Sequence, residues 1–307
     1  MLIMGEVRTG LLQNSAEVPE SDLSSVLGLL AGERVRISRR PILHALSPDL
    51  LTGVDCLLPS AAQAKIRGVG TVVSRCSITG GRVVQSSSYV RVTKAETGHR
   101  LPWSHYLARP GVIEVLGKAA AADLADGFLA FGLPGEHLDV GSISDRLMDT
   151  VQAAESLDRA SPFRSTQTRL RWVAASGEPG VRFVLGEGVE RRVRITYEGE
   201  FSTAVLDLCE DLALHDWLLT TLLVIVERAR IGAAPRAEVS ARLAPAVDAL
   251  LHLWMPGARI HPSLAPLWES LELAPGFTRQ WQSLVERVRD QFAVNTLALL
   301  LRETNPV

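Results

Sequence analysis

The densest set of ionisable side chains in the sequence is Glu210, Asp211, His215 and Asp216. Asp211 and His215 are four residues apart, a spacing that puts both on one face of a helix. A pair so placed could share a metal ion or act as acid and base. A metal site needs three or four ligands and this face supplies two, so the plainer reading is a solvated helix edge with His215 satisfied by a carboxylate on its own helix. A second concentration lies in RLPWSHYLARPG, residues 100–111, where Trp103, His105, Tyr106 and Arg109 stand between Pro102 and Pro110. Aromatic rings beside arginine in a rigid loop are what interface hot spots and ligand clamps use. The alternative is a corner between two parts of the chain, packed by its own aromatics. Cys56 follows Asp55 downstream of His44, but no local pattern supports a cysteine–histidine nucleophile, and a buried thiol is commoner. His252 and His261 flank Trp254 and Met255 and read as packing or capping groups.

Missing motifs narrow the chemistry. The sequence has no G-x-x-x-x-G-K-[ST], H-E-x-x-H, G-x-S-x-G or H-x-E…P-C-x-x-C pattern. Gly68 and Gly70 lack the third glycine and following helix of a dinucleotide site. The residues selected for partner or ligand binding are therefore Trp103, His105, Tyr106, Arg109 and His215. No catalytic residue is assigned, and neither a metal nor a cofactor is expected.

The elements that must position these groups centre on residues 205–231, the longest apolar run. At about 100° per residue, Asp207, Glu210 and Asp211 share one helix face, while Asp216, Thr220 and Glu227 share another roughly half a turn round. One straight helix would be wetted on opposing sides. The pattern therefore predicts two helices broken near His215, with Asp216 capping the second. Arg228 and Arg230 fall in the last turn, with Gly232 and Pro235 as terminators.

Residues 1–100 read as β-rich: a strand over 2–12, a short helix capped by Ser21 and ended at Gly32, and a strand over 34–38. A hairpin joins 70–78 to 82–93 through Thr79, Gly80 and Gly81. Residues 44–60, punctuated by Pro48, Gly53 and Pro59, read as a long ordered loop. Residues 101–160 turn helical, over 102–108, 112–117, 123–131 and 142–155. After a polar link, 168–174, 181–185 and 191–197 suggest an antiparallel meander. From Ser202 the chain reads as all-helical: a helix over 238–254 kinked at Pro245, a short helix capped by Ser263, and an amphipathic helix over 278–302 docking on the central pair.

Length and composition bound the rest. A chain of 307 residues, 47% hydrophobic and 21% charged, can bury a sizeable core. The formal net charge of −2 argues against nucleic acid or an anionic membrane surface as partner. Three cysteines, widely spaced, suit a reducing cytosol. No leader pattern opens the sequence, and the apolar run after Asp216 stops at Glu227, short of the roughly 20 residues a membrane-spanning helix needs. A soluble, cytoplasmic protein is expected.

At GEVRTGLLQNS, LTGVDCLLPSA, LPWSHYLARPGV, LCEDLALHDWLLTTLL, LHLWMPGA and PGFTRQWQSLVERVRDQ, over nearly its whole length, the chain resembles a conserved family of actinobacterial cytoplasmic proteins. Members are encoded beside a ParA-like P-loop protein and a methyltransferase-like protein. The resemblance implies a role in a multi-protein system and brings no catalytic residues with it. The fold expected is α+β: a β-rich part (1–100), a helical insertion plus antiparallel strands (101–200), and a C-terminal helical bundle (201–307). Whether the two strand groups share one sheet stays open. The function expected is a non-enzymatic scaffold or adaptor that binds other proteins, a ParA-like P-loop protein among them, as a homo- or hetero-oligomer. A mean hydropathy of +0.15 fits surface buried in such an assembly. The alternative is an enzyme or ligand-binding subunit with a pocket between the β part and the C-terminal helices.

Overall fold

The computed structural model describes residues 1–130, 135–199 and 202–304, and shows an α+β protein with ten strands in a single mixed sheet. Both strand groups belong to that sheet. β1 (Leu2–Leu11) is the strand that joins them, pairing antiparallel with β6 (Val83–Lys94) on one side and with β8 (Thr168–Ser176) on the other. Its alternation sorts the core. Ile3, Val7 and Leu11 face one side with Trp172 and Val193, while Leu2 and Met4 face the other with Val90 and Val173.

The first face is covered by α5 (Ala204–Ala229), on which α6 (Arg236–Ala249) and α8 (Phe277–Thr304) pack, with α7 (Ala265–Leu273) against α8 and the sheet edge. The second face is covered by α1 (Glu20–Leu27), α3 (Ala121–Leu129) and α4 (Val140–Gln152). On that second face the fully buried Glu6 gathers Arg8, Arg169 and Arg171, with N–O separations of 2.9, 2.7 and 3.3 Å.

The predicted hairpin is present as β5 (Ile66–Thr79) and β6, and Gly80 and Gly81 both adopt positive φ in its turn, where glycine is the unstrained residue. Its far end splays. β7 (Val112–Leu116) wedges between the two arms, antiparallel to β5 and parallel to β6. The stretch predicted helical over 112–117 is thus strand over 112–116, as its Val, Ile and Val run favours. Gly70 permits the wedge, since a Cβ there would lie 2.0 Å from the Val112 carbonyl oxygen.

Residues 44–60 are not a loop. β3 (His44–Leu46) and β4 (Leu50–Leu58) both pair with β5, and β2 (Arg36–Ser38) extends the edge beyond β3. Pro48 falls in the connection between β3 and β4, and Gly53 lies in an outer strand, so neither breaks a central ladder. The expected meander is also reordered. β10 (Glu190–Tyr197) inserts between β8 and β9 (Gly180–Leu185), parallel to the first and antiparallel to the second. β10 buries Val193 and Ile195, whereas β9 leaves Val184 and Leu185 exposed, so β10 takes the inner place and β9 the edge.

The helix α5 is continuous over 26 residues, correcting the predicted break at His215. The buried acids on its opposed polar faces need no water because arginines reach them from different elements, Arg75 of β5 for Glu210 and Arg191 of β10 for Asp216. Asp216 is therefore an ion-pair partner inside a helix, not a cap. Arg230 closes α5 in the left-handed region, at φ 53°. Pro245 is accommodated inside α6 without ending it. The α1 helix starts after Pro19 rather than at a Ser21 cap and ends at Leu27, and the His261 side chain, not Ser263, accepts the backbone N–H at the turn before α7. The predicted 123–131 helix ends at Leu129, and Phe131 lies outside the described residues.

Candidate functional site

The 100–111 loop folds into α2 (Trp103–Leu107), a short helix after Pro102 that lies over β5. Its underside is locked. Tyr106 is 1% exposed, and its hydroxyl accepts the Leu101 N–H at 3.0 Å. His105 Nε2 lies 2.8 Å from Oε1 of the buried Glu114 on β7, and Arg109 donates to that same oxygen. The Thr71 hydroxyl accepts the Gly111 N–H at 2.9 Å, tying the loop to β5.

The outer side carries Trp103, 37% exposed, and Leu107, 54% exposed, one helical turn apart. The register of β4 on β5 places Leu51, Gly53 and Asp55 opposite Val73, Thr71 and Val69, on the same sheet face. Leu51 is exposed there, and the Trp103 ring sits against Gly53. The Arg100 guanidinium stacks 5.0 Å from the Trp103 centroid and pairs with Asp55 at 3.0 Å.

Four of the five sequence-selected residues are thus brought together: Trp103, His105, Tyr106 and Arg109. His215 is not among them. It lies buried on α5, bonded through Nδ1 to the Asp211 carbonyl at 2.7 Å, with its ring edge-on to Trp254 and Trp268 at 4.9 and 5.8 Å. That is a packed core histidine.

A polar cleft whose lining the sequence reading did not select for binding opens between the β part and α5. It holds about 350 Å3 and is lined by His44, Arg75, Tyr89, Asp207, Glu210 and Arg259, with Arg36 and Asp49 at its exposed mouth. Arg75 grips Glu210 through two 2.8 Å bonds and reaches Asp207 at 2.7 Å. The Ser87 hydroxyl also donates to Glu210. Burial pushes the Glu210 carboxyl up, but the charge and bonds of Arg75, with Ser87, win and hold it below its ordinary value. Burial likewise works against Asp211, and His215, Arg259 and the Gly257 N–H bring it low. Asp216 goes the other way, raised by burial that Arg191 only partly offsets.

His44 is lowered to about 3, first by burial and then by the charge of Arg259. Arg259 donates to its Nδ1 at 2.5 Å, so the neutral ring carries its proton on Nε2. The cleft therefore offers a neutral imidazole and three arginines against three carboxylates, an arrangement suited to holding a polar molecule with groups of both signs. The signal for it was a lone arginine in the small and β-branched run GTVVSRCSIT, because an arginine in a central strand needs an acid opposite.

Cys56, beside Asp55, has its thiol pushed up to about 11 by burial and then by that carboxylate, the reverse of an activated nucleophile. Among the described residues no group of three or more His, Cys, Asp or Glu is placed to hold a metal ion, and no helix is long and apolar enough to cross a membrane. No family model matches the chain, and no curated protein or solved structure matches it.

Proposed function

We propose that the protein is a non-enzymatic adaptor that binds another protein through the face formed by α2 and β4. The observation that carries this reading is the pair Trp103 and Leu107, held outward on a helix whose inner side is fixed by Tyr106, His105 and Arg109. An aromatic anchor with little freedom left to lose is what a binding hot spot requires. A ParA-like P-loop protein, the partner implied by the resemblance, is the first to test, in a cytoplasmic complex. Co-expression followed by intact-complex mass decides it. Trp103→Ala and Leu107→Asp each weaken the complex at least ~30-fold, the value of one hot spot at about 2 kcal/mol, with melting temperature unchanged. If Trp103→Ala unfolds the chain, or if both variants keep the complex, the reading fails.

A second reading, a small-ligand-binding subunit, is favoured by the cleft between Arg75 and Arg259. Here the purified protein carries a stoichiometric small molecule, detected as extra mass under native conditions, and Arg259→Ala loses it. Wild-type protein without extra mass that also fails to bind amino acids as polar probes would end this reading.

A further inference from the structure

A different cavity, of about 520 Å3, lies where the end of β1, the end of α4 and the last turn of α5 meet the link at residues 161–167. That volume is within the range of small-molecule sites, roughly 300–1,000 Å3. Its charge is one-sided. Arg164 and Arg228 line it, and no aspartate or glutamate does. Among the described residues neither arginine has a carboxylate within ion-pair range, in contrast to Arg75 and Arg191. Ser161, Ser165 and Gln167 add hydrogen-bonding groups, and the half-buried Phe163 adds a ring.

The walls are fixed before any ligand arrives. The Gln152 side chain accepts the Gln13 N–H at 2.8 Å and donates to the Leu11 carbonyl at 3.0 Å. Trp217 Nε1 donates to the Thr166 carbonyl at 3.0 Å and anchors the link to α5. Asp158, the nearest acid in the link sequence, is bonded to Ser15 and the Ala160 N–H, and is not among the lining residues. The C-terminal ends of α4 and α5 each bring roughly half a negative charge, so two guanidinium groups leave the cavity positive.

We propose that this cavity binds a phosphorylated small molecule, its phosphoryl oxygens taken by Arg164 and Arg228 and its ring laid against Phe163. Guanidinium forks match phosphate geometry, and an aromatic side chain accepts any base face. The residues are separate from those of the proposed protein-binding face, so the two readings stand or fall independently.

Calorimetric titration of the whole chain at low salt tests it, with ADP and with inorganic phosphate as probes. Saturable one-to-one binding of ADP is expected, with Arg164→Ala and Arg228→Ala each weakening it at least ten-fold. Both arginines are exposed, so both variants should fold, which circular dichroism checks. Phe163→Ala should weaken ADP and leave inorganic phosphate unchanged. Equal affinity for ADP and phosphate would overturn the ring contact and assign the site to phosphate itself. No saturable binding of either probe at millimolar concentration, or unaltered binding in both arginine variants, would overturn the proposal.

Discussion

Replacing Arg75 by leucine removes both bonds to Glu210 and the one to Asp207. Asp207 is half-exposed and recovers water, but Glu210 is 5% exposed and keeps only the Ser87 hydroxyl. Stranding one member of a buried ion pair costs about 3–5 kcal/mol, so Arg75→Leu should lose about that much in urea unfolding at pH 7.5. Removing both charges is different, because a buried pair replaced by apolar groups is often neutral. The double variant Arg75→Leu/Glu210→Leu should recover most of the loss, giving a coupling of about 3 kcal/mol in the cycle. The pH dependence has a definite sign. Without Arg75, burial, the largest influence on Glu210, is opposed mainly by the Ser87 hydroxyl and raises the carboxyl above its ordinary value, so the folded variant binds a proton that the unfolded chain does not. Stability of Arg75→Leu relative to wild type should therefore rise as the pH falls from 7.5 to 5. A single variant losing under about 1 kcal/mol, or a double variant as unstable as the single, would refute this account of the α5–sheet contact.

Two further outcomes can be checked with the same denaturation assay. Unfolded His44 takes up a proton below its ordinary 6.5, while the folded ring resists down to about 3, so its contribution is lost as pH falls through that window. One proton limits the slope to about 1.4 kcal/mol per pH unit, and His44→Asn should flatten the wild-type curve between pH 6.5 and 5; a parallel curve would dissociate His44 from it. Gly70→Ala puts a Cβ 2.0 Å from backbone that cannot rotate away, so a loss of about 3 kcal/mol is expected, and an unshifted urea midpoint would mean that β7 can move.

What could be read from the sequence was local. β1 and the β5–β6 hairpin announce themselves by β-branched residues and by Gly80 and Gly81 in the turn. The α2 cluster was legible for the same reason, since Trp103, His105, Tyr106 and Arg109 lie within one loop and their anchor, Glu114, follows closely. The lining of the cleft was not, because Arg75 and Glu210 are 135 residues apart and nothing local to either identifies the other as its partner. The continuity of α5 was hidden by the same distance. Two wet faces imply a break only if water is the partner, and here it is Arg75 and Arg191. Pro48 and Gly53 concealed β3 and β4 because turn residues are also tolerated at edges, where no inner ladder depends on them.

The place of β1 sets an order of events during synthesis. Its partner on one side, β6, is complete by Lys94, but its partner on the other, β8, starts only at Thr168 and is finished at Ser176. At about 5–20 residues per second, the growing chain spends roughly 4–16 s between those points. Throughout that interval β1 is an open edge. Its Glu6 has Arg8 but not Arg169 or Arg171, and its inward face lacks Trp172. A chain stopped before β8 would display a ten-residue strand with one edge of its backbone unpaired and an acid left with one of its three arginines, a ready template for another nascent copy.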